Sequence, residues 1–171
     1  MKTVKKKHAP IDFKLPTAAE LVVTSVSGKS ATLAELRALA LTLTNVPSGH
    51  ALEDDLQADA FMMYKDNFRQ VCYGWHTPNG GHRDEREAVQ LKGQGVVSGV
   101  PDLMFMTHGF RMIFVELKCG HYRYDPNQAL FARKALDYGF ADVFLCGTLR
   151  EVAALLCHIF DIVPSSLIFR A

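Results

Sequence analysis

The sequence predicts an α/β protein in which helices flank a central mixed β-sheet, in the order helix, strand, strand, strand, helix, strand, helix. Amphipathic periodicity, with apolar residues three and four apart, marks the helices. Apolar runs of strand length at 71–75, 102–107, 111–118 and 141–146 mark the strands. The punctuation between them (Pro78-Asn79-Gly80-Gly81, His108-Gly109, Asp125-Pro126, Gly139) falls where turns and helix ends are needed. Strands and helices that alternate in this way build a layered sandwich around one sheet.

The elements follow in chain order. Residues 1–16 read as a basic tail containing Lys2, Lys5, Lys6 and Lys7, and 21–26 as a short strand. Ser27-Gly28-Lys29-Ser30 sits between a strand-like and a helix-like run, as a phosphate-binding loop would. Such a loop also needs glycine five positions before Gly28, where Val23 stands, so an ordinary turn is expected. Residues 32–44 carry Leu33, Leu36, Ala40 and Leu43 on one helical side, and Pro47, Ser48 and Gly49 end that pattern. Residues 1–48 thus form an N-terminal extension and 49–171 the principal domain.

The next helix covers 51–67, with Leu52, Leu56, Ala60, Met63 and Tyr64 as its apolar stripe. A strand at 71–75 leads into the His76–Gly81 turn, and 84–92 reads as a polar helix. Gly93, Gly95 and Gly99 punctuate the approach to the strand pair 102–107 and 111–118. Asp125 is a good N-cap and Pro126 a good first helical residue, and the helix they open stops at Gly139. A strand at 141–146 and a helix at 149–160, starting near Thr148, complete the set.

Composition sets outer bounds. The chain has 171 residues, 49% apolar, and a net charge of +1. This is enough for one good core. Net charge says nothing about a nucleic-acid partner, because only the binding face must be positive. Cys72, Cys119, Cys146 and Cys157 lack C-x-x-C spacing, which fits small buried residues in a reducing cytoplasm rather than a disulfide framework or zinc site. The start of the chain has no apolar signal core, and no run nears the roughly 20 apolar residues of a membrane span. A cytoplasmic protein is expected.

The chemistry lies in Gly99-Val100-Pro101-Asp102 and Phe114-Val115-Glu116-Leu117-Lys118. Strand side chains alternate, so Glu116 and Lys118 share one face while Ile113, Val115 and Leu117 take the other as core. Two carboxylates, Asp102 and Glu116, beside one lysine suit a divalent cation with an amine next to its water. That is the layout of a metal-dependent phosphodiesterase.

These motifs, in this order, resemble the PD-(D/E)XK nuclease superfamily. Gly99-Val100-Pro101-Asp102-Leu103, Val115-Glu116-Leu117-Lys118, Asp125-Pro126-Asn127-Gln128 and His76-Thr77-Pro78-Asn79-Gly80-Gly81 together resemble the VRR-NUC family, in its compact viral and bacterial stand-alone form. The likeness covers about residues 52–156 and implies a restriction-endonuclease-like core. It further implies that Asp102 and Glu116 bind Mg²⁺ or Mn²⁺ with the Leu117 carbonyl as another oxygen, that Lys118 orients the attacking water, and that Gln128 supports the site. Glu53, in Glu53-x-x-Leu56-Gln57, matches the family's first-helix glutamate as a further catalytic and metal-binding candidate, with Asp54 and Asp55 adjoining it.

The DNA-contact candidates are His76, Asn79, Arg83, Arg86, Lys92 and Arg123, which flank the active strands. An HNH-type pairing of His76 with His82 lacks the rest of its framework. Tyr122 and Tyr124 are weak candidates for base stacking, and no aromatic series stands out. The resemblance implies a DNA endonuclease selective for branched structures such as Holliday junctions, a homodimer, and a viral or prophage origin with action in the host cytoplasm. The alternatives are a DNA-binding or assembly module that has lost its chemistry, and an RNA-directed nuclease.

Overall fold

A computed structural model describes residues 21–78, 89–91, 93–109, 111–120, 122–139 and 141–169. Its elements are β1 (Val22–Thr24), β2 (Ser30–Thr32), α1 (Leu33–Thr42), α2 (Glu53–Asn67), β3 (Cys72–His76), β4 (Leu103–Thr107), β5 (Met112–Leu117), α3 (Pro126–Asp137), β6 (Ala141–Cys146) and α4 (Leu149–Phe160), followed by one 3₁₀ turn at Pro164–Ser166. From α2 onward this is the predicted order. The basic tail at 1–16 lies outside the described residues. Of the expected helix at 84–92, residues 89–91 are described and are helical.

Four strands form one mixed sheet in the order β3-β4-β5-β6, antiparallel for the first two pairs and parallel for the last. Parallel neighbours need a crossover, and α3 supplies it between β5 and β6. The Asp125 side chain accepts hydrogen bonds from the amides of Asn127 and Gln128, and Pro126 needs no donor, so α3 starts where its sequence signal lies. Thr148 caps α4 in the same way, through the amide of Glu151.

The two faces of the sheet bury different side chains. On one face Leu103, Phe105, Ile113, Val115, Leu117 and Phe144 join Leu56, Tyr64 and Leu155 in the main core. α4 is apolar nearly all round, as a helix enclosed by neighbours must be. On the other face Phe114 and Val143 meet Ala132 and Ala135 of α3, with Met104, Met112 and Phe131 at the margin. Small alanines let that helix lie close to the strands. Gly74 of β3 is equally constrained: a Cβ there would stand 2.7 Å from the Phe105 ring and 2.9 Å from that of Tyr64.

β1 and β2 form a small antiparallel hairpin. Ser27-Gly28-Lys29 lies in its turn and Ser30 begins β2, with Gly28 at φ +87° and the Ser25 amide on the Lys29 carbonyl, so the turn reading is the one observed. α1 opens on a reciprocal cap between Thr32 and Glu35 and adds Leu33, Leu36 and Ala40 to the main core. Leu52 departs from expectation. Counted in the α2 stripe, it is instead the N-cap residue and 62% exposed, because the core ends one turn inside the helix.

Candidate active site

The site forms where β4 begins and β5 ends. β4 and β5 pair Leu103 with Val115, and one further step in that register sets Asp102 opposite Glu116. Residues directly opposite in an antiparallel pair share a face, with Cβ atoms about 5 Å apart. Asp102 is held from both sides. Its carbonyl accepts from the Thr77 amide at 2.8 Å, and its Oδ2 accepts from the Leu117 amide at 2.9 Å. Lys118 extends the parallel ladder, its amide donating to the Cys146 carbonyl at 3.0 Å.

Glu116 is fully buried. Its Oε1 accepts from Lys118 Nζ at 2.7 Å and from Gln128 Nε2 at 2.5 Å, while its Oε2 is buried with no hydrogen-bond donor among the described residues. The other end of Gln128 is also engaged, since its Oε1 accepts from the Asp125 amide at 2.9 Å. Gln128 therefore caps α3 and clamps Glu116 with one side chain. The loop before β4 is seated on the same helix end. A Cβ on Gly99, which sits at φ +78°, would lie 2.3 Å from the Asn127 carbonyl carbon. Only glycine permits both that conformation and that approach.

Glu53, the first residue of α2, brings its Oε2 to 3.4 Å from Lys118 Nζ. Of the three neighbouring acids this is the one that reaches the lysine; Asp54 and Asp55 are exposed. Asp102, Glu116, Lys118, Glu53 and Gln128, the predicted catalytic set, are thus gathered in one place.

Among the described residues the charges there do not balance. Burial pushes Glu116 up to about 8, and the neighbouring Asp102 carboxylate adds to the rise against the pull of Lys118. Burial acts downward on Lys118 but is outweighed by the hydrogen bond and charge of Glu116 and by the charges of Glu53 and Asp102, so its ammonium is held more tightly than usual. Among the described residues one ammonium faces the carboxyl groups of Glu53, Asp102 and Glu116. Like charges directly opposite in a sheet are unfavourable, and an unpartnered buried carboxylate oxygen is costly. A divalent cation relieves both, and the oxygens of Asp102 and Glu116 are the hard donors Mg²⁺ or Mn²⁺ prefers. No group of three or more His, Cys, Asp or Glu set to hold a metal occurs among the described residues. Two carboxylates with a carbonyl and waters match the sparse protein ligation of Mg²⁺.

The expected DNA contacts fare differently. His76 lies on the opposite sheet face from Glu116 and Lys118, where its Nδ1 meets Gln57 Nε2 at 3.1 Å and its ring meets the edge of Phe61. Gln57 was not foreseen as its partner. Arg123 is exposed in the loop between β5 and α3. Asn79, Arg83, Arg86 and Lys92 lie outside the described residues, as does His82. Tyr122 is tied down, donating to Glu151 Oε1 at 2.7 Å with the Arg37 guanidinium 4.6 Å from its ring centre. Tyr124 is half-buried against the α3 core. Neither is placed for stacking bases. Arg111 binds Asp142 and the Thr24 carbonyl.

All four cysteines are free, and Cys72, Cys146 and Cys157 are buried. Among the described residues no helix is long and apolar enough to cross a membrane. Compared with known proteins, the chain matches no family model, no curated protein and no solved structure.

Proposed function

We propose that this protein is a Mg²⁺- or Mn²⁺-dependent endodeoxyribonuclease on a restriction-endonuclease-like core, acting on branched DNA such as a Holliday junction. The observation that carries the reading is the convergence of Asp102, Glu116 and Lys118 at one strand end, with a buried carboxylate oxygen left without a donor. Nothing in core packing asks for that arrangement. With no match among known proteins, the VRR-NUC likeness rests on short motifs, and the chemistry is argued from the residues themselves.

Asp102 and Glu116, with the Leu117 carbonyl, would hold the cation. A bound divalent ion acts as a Lewis acid toward a phosphoryl oxygen and makes a water acidic enough to attack near neutral pH. The remaining work falls to the chain. Gln128 fixes Glu116 through Oε1 and so leaves Oε2 free for a ligand. The Lys118 ammonium, held by Glu116 and Glu53, hydrogen-bonds the attacking water and offsets charge growing on the phosphate. Attack on phosphorus with departure of the 3′ oxygen leaves 5′-phosphate and 3′-hydroxyl ends. Two copies about a two-fold axis suit a junction that needs two symmetric cuts.

The test is cleavage of a labelled four-way junction with Mn²⁺, beside duplex, single-stranded and flap DNA, with Lys118→Ala as control. Junction cutting that disappears in the variant is expected. Junction binding without cutting by the intact protein would replace the enzyme with a binding module, and preferential cutting of a matched RNA junction would overturn the substrate.

A further inference from the structure

We propose that Tyr73 and Trp75 form a stacking platform for an unpaired nucleobase of the strand whose phosphate lies at Asp102, Glu116 and Lys118. The proposal rests on the phosphodiesterase reading of that site. Among the described residues β3 is an edge strand of the sheet, and Tyr73 and Trp75 are alternate residues on one of its faces. Trp75 pairs directly with Met104, two residues along β4 from Asp102. The indole and the Asp102 carboxylate therefore share a sheet face on neighbouring strands, as diagonal neighbours about 7–8 Å apart.

α3 covers only part of that face. Phe114 and Val143 are buried beneath it, whereas Tyr73 is 67% exposed and Trp75 and Met104 are half-buried. The two rings lie against each other at 5.6 Å, tilted by 41°. Position and chemistry together choose the occupant. A strand that presents a phosphate to Lys118 runs past this edge, and exposed aromatic faces take any base that is not already stacked in a duplex. Paired bases are hidden, so the platform selects DNA with an unpaired or splayed nucleotide beside the cut.

Trp75 is the only tryptophan in the chain, so its emission reports on this place alone. The full chain, in EDTA to prevent hydrolysis, is titrated with an end-labelled single strand while anisotropy and tryptophan emission are followed together. Quenching that tracks binding is expected, with none from an abasic strand or a blunt duplex of equal length. Tyr73→Ala should raise the Kd for the strand about ten-fold, and Tyr73→Phe should restore it. Binding with unchanged emission, equal quenching by the abasic strand, or no binding of the strand would each overturn the platform. Mn²⁺ cleavage is assayed separately on the same preparation. Cutting without quenching sinks the platform alone, and quenching without cutting of any substrate sinks the nuclease alone.

Discussion

Two charge clusters in this molecule use similar residues to opposite ends. At the C-terminus of α4, Asp161 takes the left-handed conformation at φ +55° and accepts from the Ser27 amide and from Lys29 Nζ, each at 3.1 Å. That corner is exposed, one carboxylate meets one ammonium, and the Ser27 side chain, ahead of Lys29 and the Ser27 amide, leads in holding Asp161 down at about 2. At the other cluster Glu116 is buried, three carboxylates compete for Lys118, and Glu116 is driven upward. The first arrangement is complete as it stands and ties the hairpin to α4. The second leaves a buried oxygen of Glu116 without a donor among the described residues. Satisfaction of charge, rather than its presence, separates a structural cluster from a site.

Substitution can break that contrast. Glu116→Gln should lower Mn²⁺-dependent turnover at least ten-fold, or about 1.4 kcal/mol of barrier. Stability should stay within about 1 kcal/mol, because an isosteric amide removes a buried charge that lacked full compensation. Cleavage above a tenth of the original rate would remove Glu116 from the chemistry.

Gly99→Ala comes next. The added methyl meets the α3 backbone and the residue is strained at positive φ, so a loss of about 1–3 kcal/mol is expected in denaturant unfolding. Turnover should fall with it, since Asp102 follows on the same loop. Unchanged activity would show that the seat of this loop on α3 does not set the position of Asp102.

Gln128→Leu sharpens the comparison by leaving every charge in place. Losing the clamp on Glu116 should cut turnover about ten-fold, and losing the bond to the Asp125 amide should cost about 1 kcal/mol of stability. A stability loss alone would reduce Gln128 to a helix cap.

The smallest effect is expected at Asp161→Asn, which should leave turnover unaltered. Asp161 is lowered from its ordinary 3.8, so its contribution is fully present above about pH 4 and disappears as pH falls through about 2. Urea midpoints of the two proteins should differ at pH 6 and converge toward pH 2. A difference that grows in acid would reverse the sign and refute the assignment.

Much of this was legible in the sequence because it is local. Strand alternation alone set Glu116 and Lys118 on one face, and the Asp125 and Thr148 caps fixed where two helices begin. β2 was missed because Ser-Ala-Thr carries no alternating apolar signal, and its pairing with β1 defines it. That the even face of β5 is also buried, making Glu116 a core carboxylate, depends on α3 lying over it. The tether of His76 to Gln57 needs α2 laid against β3. Tyr73 and Trp75 were readable as one face of a strand, but nothing local says that the strand is an edge.

The clasp between the hairpin turn and Asp161 joins residues near the two ends of the described chain, while β5 gains its last strand partner only at β6. During synthesis the earlier segments leave the ribosome first and wait for those partners. A chain grown only as far as Lys118 already contains Asp102, Glu116 and Lys118, yet has neither the helix that clamps Glu116 nor the strand that flanks it. The constellation therefore comes together only after α3 and β6 have left the ribosome, and a chain that stops short of them carries the three side chains without the contacts that set them.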